Sequence, residues 1–532
     1  MKKLFPFFAV VAITLTLTIS CSNMNDLLQV GKTSITNANI VANDNVPYTD
    51  TITLNTISKT KGYVDYKVAH KLALIQMNMS INQQMNWNGT KLSQLPVVVY
   101  DAKSNPKYYE FIVKKQDGTP IGTVTAAAKK EVGASVAYVL PYVRDYNYVA
   151  SKGTAFKMIS AGYPNHILVG VIEKGGDTPS GTIDLSTGQS VNADTILTED
   201  AQGAITAVKN MSQVTLDSLH TDASTLISGI QQKDQQNQQQ ATAYWSMADS
   251  LNNKIASLSD DSLSSILNSS KGFYTSSDQY IIPPFQNSQL QNTRWDGWCG
   301  PSAIALIYRA YYSSYNGFNL PLEGDASFKT LGYNGSILGR YNPISYPNTG
   351  EYFFNDYGNT QSTDRTWVKN QSNLIDGGLY YDIANNSGMF QWRDVFGGDQ
   401  GPTLPGGLNC SLAIASKGHL SLSPVPFLTL IPLPLVSNWP GHAWLRTAKT
   451  PLLCWTDFFS HYQVAIGSQI DYWNWQIVIK IWFVHISVTT SIPTGKWLLM
   501  QDNGYKTQSN GYKPYWKNDT WSYDIQYPIV KL

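Results

Sequence analysis

The sequence predicts an α+β protein, and three patterns along the chain carry that prediction. Apolar residues at helical spacing (Val64, Val68, Leu72, Ile75) give way to short β-type runs between turn signals. A middle stretch, 199–272, keeps helical spacing and has little strand character. The last part, 273–532, sets one strong helix signal before a strand-rich end, 450–532.

With 532 residues and 42% hydrophobic content, the chain can bury ordinary cores in several domains. Its 38 basic residues against 37 acidic ones leave a net charge of +1, which offers no basic field for nucleic acid. The 32 Tyr and 15 Trp suit a protein that meets polymers outside the cytoplasm. Four cysteines, Cys21, Cys299, Cys410 and Cys454, make no disulfide framework. No CxxC, HExxH or phosphate-loop motif occurs, so neither a metal nor another cofactor is expected.

The first element is an address. Lys2 and Lys3 precede an apolar run, Leu4 to Ile19, that is short for a bilayer span. The run ends Leu17-Thr18-Ile19-Ser20-Cys21, which resembles a bacterial lipoprotein lipobox, although Thr18 stands where an aliphatic residue is usual. The resemblance implies a signal peptide over 1–20 and lipidation at Cys21. It also implies a membrane partner through that lipid and an extracytoplasmic location, on an outer membrane or cell surface. An ordinary secretory signal fits the same residues. Residues 21–50, rich in Asn, Asp and Thr, read as a flexible tether.

Residues 51–198 read as a small α+β domain. A helix through Val64–Ile75 is followed by strands at Pro96–Tyr100, Tyr108–Val113, Ile121–Thr125 and Val136–Leu140. Ser104-Asn105-Pro106 and Asp117-Gly118 supply the turns. A helix before an antiparallel meander resembles the cystatin fold, and also the inhibitory prodomains of streptopain-type peptidases. An unrelated α+β adaptor has the same order of elements. Residues 199–272 read as a spacer of two helices flanking a polar connection, Gln231–Gln240.

Residues 273–532 carry the chemistry. In Trp298-Cys299-Gly300-Pro301-Ser302-Ala303-Ile304, a cysteine stands just before an apolar helical run, with Pro301 tolerated in its first turn. Unpaired N–H groups and the helix dipole favour a thiolate there. His461 follows an apolar strand, Thr450–Trp455, and opens another, Tyr462–Gly467. Rigid placement of that kind suits a general base. His442, in Pro440-Gly441-His442-Ala443-Trp444, competes with it. Lys496–Met500 is a further strand, ended by Gln501-Asp502-Asn503-Gly504.

Cys-Gly-Pro-Ser-Ala, followed by these His and Asp positions, resembles the papain-like cysteine peptidases, in their bacteriocin-processing-like bacterial branch. The resemblance implies a helical lobe packed on an antiparallel sheet. It implies Cys299 as nucleophile, His461 as base, and Asp502, or Asn503, as the group that orients the imidazole. Gln291, with Gln289 behind it, would complete the oxyanion hole, although its spacing from Cys299 is longer than in papain. The distance from His461 to Asp502 is also long, and Tyr472–Thr490 fills it as an inserted strand pair. Peptides or proteins are the substrates implied. A cell-wall or small-molecule amidase or acyltransferase uses the same Cys-His apparatus. A non-catalytic surface lipoprotein that binds polymers through aromatic residues is the reading of another class.

Overall fold

A computed structural model describes residues 40–41, 46–80, 85, 87–133, 135–144, 146, 156–164, 167–172, 179–185, 190–192, 196–213, 216, 219, 221–255, 258–267, 273–282, 303, 307, 420–423, 427–428, 440–456, 461–481, 484–501, 514–519 and 523–531. The chain divides into two units, Met1–Thr36 and Asn37–Leu532, and every described residue belongs to the second.

Among the described residues, six helices and a large, mostly antiparallel sheet make the protein α+β. The first part holds β1 (Ile40–Val41), β2 (Pro47–Tyr48), α1 (Thr51–Lys59), α2 (Tyr66–Ser80), β3 (Lys91–Leu92), β4 (Val97–Tyr100), β5 (Pro106–Lys114), β6 (Pro120–Ala127) and β7 (Val136–Leu140). Then come β8 (Phe156–Ser160), β9 (Ile167–Ile172), β10 (Pro179–Asp184), β11 (Ser190–Val191), α3 (Ala201–Lys209), α4 (Ala223–Ile255) and α5 (Asp260–Leu267). The last part holds β12 (Phe273–Ile281), β13 (Leu420–Leu422), β14 (Phe427–Leu428), α6 (Pro440–Thr447), β15 (Leu452–Thr456), β16 (His461–Ile481), β17 (Val484–Gln501), β18 (Tyr515–Asn518) and β19 (Ile525–Lys531).

Local chemistry accounts for the first elements. Asp50 caps α1, accepting from the Ile52 and Thr53 N–H groups at 2.9 and 2.8 Å. The helix expected at Val64–Ile75 is α2, whose Ala69, Leu72, Ala73 and Ile75 are buried. The four strands expected between 96 and 140 are β4 to β7, paired β4–β5–β6–β7. Gly118, at φ 87°, makes the turn between β5 and β6 that a side chain would strain.

The middle part differs from expectation. Gln231–Gln240 is not a connection between helices but lies inside α4, which runs 33 residues, about 50 Å. Among its described side chains, Leu226, Gly229, Ile230, Lys233, Ala241, Trp245 and Ala248 are buried. They fall on one helical stripe, but the stripe passes through Lys233, a charged residue, where the apolar periodicity breaks. Gln and Ala are good helix formers, so the turns between need no apolar residue.

The sheet joins the two ends of the chain. Its ladder runs β11–β10–β9–β8–β4–β5–β6–β7–β18–β17–β16–β15–β19–β14. β3 adds to β5, β12 to β16, and β13 to β19. Among the described residues, β4–β8 is the parallel pair. The junction is Val139 opposite Trp516 and Tyr138 opposite Lys517. Segments 51–198 and 273–532 therefore contribute strands to one sheet. α2 binds one face, where Gln76 Nε2 donates to Asp471 of β16 at 3.1 Å. α6 binds the opposite alternation of the same strand, where Arg446 Nε donates to Ser468 Oγ at 2.9 Å.

Candidate functional site

His461 is the first residue of β16 and is 2% exposed. It pairs with Thr456, the last residue of β15, and all five residues of β15 are buried. Thr456 Oγ1 donates to the His461 carbonyl at 3.3 Å, which closes the corner between the strands. On one side of the sheet Trp455 and Tyr462 stack, with centroids 5.4 Å apart and planes 8° from parallel. On the other, the Tyr515 hydroxyl donates to Gln463 Oε1 at 3.0 Å. The backbone that carries the imidazole is thus held from both faces.

β17 ends beside this corner. Gln501, its last residue, is buried and pairs with Val464, three positions beyond His461. Asp502 and Asn503, which follow Gln501 in sequence, lie outside the described residues, as do Cys299, Gln291, Gln289 and Cys21. Downstream of Cys299, Ala303 and Ile307 are helical and fully buried, one turn apart.

His442 has different surroundings. It sits in α6 and is 3% exposed. Burial pushes its pKa down to about 3, and Lys496 and Arg446 add to the effect. The imidazole is therefore neutral at ordinary pH, with Nε2 3.9 Å from Asp519 Oδ2. Gln526 Nε2 also points at Asp519, at 3.3 and 3.4 Å from its two oxygens. Gly441 allows this close approach, because a Cβ there would meet Gln526 Oε1 at 2.3 Å. Cys454 is buried opposite Gln463, and burial, with Asp524 and Asp519 nearby, pushes its thiol up. That environment suppresses the thiolate a nucleophile requires.

Two polar groupings were not legible in the sequence. In the first, Lys517 Nζ donates to Asp524 Oδ2 at 2.5 Å, and Lys233 of α4 lies buried over the Tyr523 ring. Burial pushes Lys233 down to about 8, against the opposing pull of Asp519 and Asp524. In the second, Lys107 pairs with Glu199, which also accepts the Gly162 and Tyr163 N–H groups at 2.7 Å each. Both groupings border a cleft of about 240 Å³ where β5, β7, β18, α3 and α4 meet. Their members come from distant parts of the chain, so no local motif announces them. Among the described residues, no three His, Cys, Asp or Glu side chains are placed to hold a metal.

No family model matches the chain, and no curated protein or solved structure does.

Proposed function

We propose that this protein is a papain-like cysteine peptidase in an exported lipoprotein, with Cys299 as nucleophile, His461 as base and Asp502 as orienter. The observation that carries the reading is the position of His461. It opens a buried core strand directly after a buried partner strand, and the strand leading to Asp502 ends alongside. A base and its orienter on neighbouring antiparallel strands is the arrangement the resemblance implies. The buried helical turn at Ala303 and Ile307 supports a core helix following Cys299. The neutral, helix-borne His442 fits an imidazole that packs, since a pKa of about 3 cannot sustain an imidazolium partner for a thiolate.

In this reading the Cys299 thiolate, with His461 protonated, attacks the substrate carbonyl carbon and the C=O electron pair moves to oxygen. The Cys299 N–H and the Gln291 side chain hold that oxyanion. Collapse breaks the C–N bond, His461 gives its proton to the leaving amine, and a thioester remains. Water, deprotonated by His461, attacks the thioester and returns the thiolate. Asp502 accepts from the imidazole N–H and fixes its tautomer.

The test is hydrolysis of a mixed fluorogenic peptide set by wild type and Cys299→Ala. Cys299→Ala should lower kcat/KM at least 10³-fold, as nucleophile loss does, with an unchanged circular dichroism spectrum. Equal rates for the two proteins would remove the assignment.

A further inference from the structure

The cleft of about 240 Å³ has no part in the peptidase reading, and its lining runs from a buried floor to an exposed rim. Tyr108, Tyr138 and Tyr163 line it and are buried, with ring centroids 4.6 to 6.0 Å apart. Glu131, Asp200 and Gln238 line it and are exposed. The volume lies below the roughly 300–1,000 Å³ of drug-sized sites, so it suits a small molecule or a single side chain.

Charge decides what kind of occupant fits. Three lysines line the cleft, and each already holds a carboxylate of the lining: Lys107 with Glu199, Lys129 with Glu131, and Lys517 with Asp524. No Arg or His is among the lining residues. Lys233 and Asp519 lie near each other as opposite charges, and neither lines the cleft. Three further carboxylates, Asp101, Asp200 and Asp234, line it with no ion-pair partner among the described residues. They come from the turn after β4, the cap of α3 and the helix α4. Each is held by a hydrogen bond that leaves its charge in place. Asp101 accepts the Asn105 N–H at 2.8 Å, Asp200 the Gly203 N–H at 2.9 Å, and Asp234 the Gln238 amide at 2.9 Å. Burial raises the Asp234 pKa, and the charges of Asp200 and Glu131 raise it further.

An anion would therefore meet unpaired carboxylates, and a cation would relieve their repulsion. The carboxylates are spread around the rim, and no three of them are placed to hold a metal among the described residues. A bare divalent ion needs several oxygens converging on one point. An alkyl ammonium or guanidinium does not. Its charged head takes hydrogen bonds to carboxylates of the rim, and its apolar stem lies against tyrosine rings. The cleft offers both surfaces within the length of one such molecule.

We infer that this cleft binds a small organic cation, an alkyl ammonium or guanidinium, with Asp101, Asp200 and Asp234 around its charged head. The inference is independent of the peptidase reading. Such a group reaches the cleft as a free amine or as a Lys or Arg side chain of a peptide. Calorimetric titration of the full chain with diaminobutane, Nα-acetyl-lysine amide and Nα-acetyl-arginine amide tests it, against uncharged Nα-acetyl-norleucine amide. At least one cation should bind, and the norleucine amide should not. The tightest of the three tells a free amine from a peptide side chain. Asp200→Asn with Asp234→Asn should weaken that binding roughly tenfold. Asp65→Asn with Asp117→Asn, an equal change of charge at exposed positions outside the lining, should bind as wild type. Circular dichroism should match for all three proteins. No binding by any of the cations, a norleucine amide that binds as tightly as they do, or equal weakening in both double variants overturns the inference.

Discussion

Asp471 shows how much the burial of one carboxylate governs. It accepts from Ser277 at 2.7 Å, Gln469 at 2.6 Å and Gln76 at 3.1 Å, yet burial outweighs these bonds and raises its pKa to about 6. Its ordinary value is 3.8. Between these two values the folded protein binds more protons than the unfolded chain. The contribution is present in full below the lower value and is lost as pH rises through the upper one. Stability should therefore fall between about pH 4 and 6 by on the order of 2 kcal/mol. Asp471→Asn should remove that part of the slope, read by urea unfolding at pH 4.5 and 7.5. An unchanged slope in the variant would contradict the assignment of this residue.

The same scale separates what could be read in advance from what could not. The strand setting of His461 was legible because its signal is local: apolar strand, turn, histidine, apolar strand, all within about twenty residues. The structure forms both of those strands and buries them. His442 looked similar in the sequence, with Gly441 before it and Trp444 close after. Its helix, and a pKa lowered by burial and by the charges of Lys496 and Arg446, separate the two only once the chain is folded. Lys233 was not legible at all, since its neighbours Asp519 and Asp524 lie at the far end of the sequence.

At the scale of elements, α2 and β4 to β7 follow from periodicity and turn residues, because each buries a regular face. α4 does not, because its stripe uses Lys233 and half-buried Asn237 where a pattern reading looks for apolar residues. A helix through Gln231–Gln240 makes a specific prediction. Gln236 is exposed in mid-helix, so Gln236→Gly should cost about 1 kcal/mol, while Gln236→Ala should match or slightly exceed wild type. Thermal unfolding of the three proteins distinguishes a helix from a loose connection, for which neither change would register. The inserted strand pair expected at Tyr472–Thr490 belongs to one long hairpin, β16–β17, bent by register shifts at Ala465/Gly467 and Asp471/Tyr472.

At the scale of the whole molecule, what the sequence concealed is the joint between β7 and β18. Strand pairing across hundreds of positions leaves no trace in local pattern. The joint has consequences for any inhibitory role of 51–198. Gln76 bound to Asp471, and Asn518 Nδ2 donating to the Val136 carbonyl at 3.2 Å, tie that segment to the last strands. A protease site placed between Ile255 and Phe273 should therefore yield two pieces that elute together at the mass of the intact protein. Separation of the pieces without denaturant would mean that the shared sheet does not hold them. Cleavage there, as a route to activation, has to be followed by strand separation.

All of this turns on whether the imidazole on the first residue of β16 acts on the sulfur of Cys299. The direct measurement is the pH dependence of iodoacetamide labelling at Cys299, followed by mass spectrometry of its peptide. Wild type and His442→Ala should label with an inflection well below the ordinary thiol value of about 8.5, and His461→Ala should lose that inflection and react slowly at neutral pH. A His461→Ala protein that keeps the wild-type profile would contradict the account.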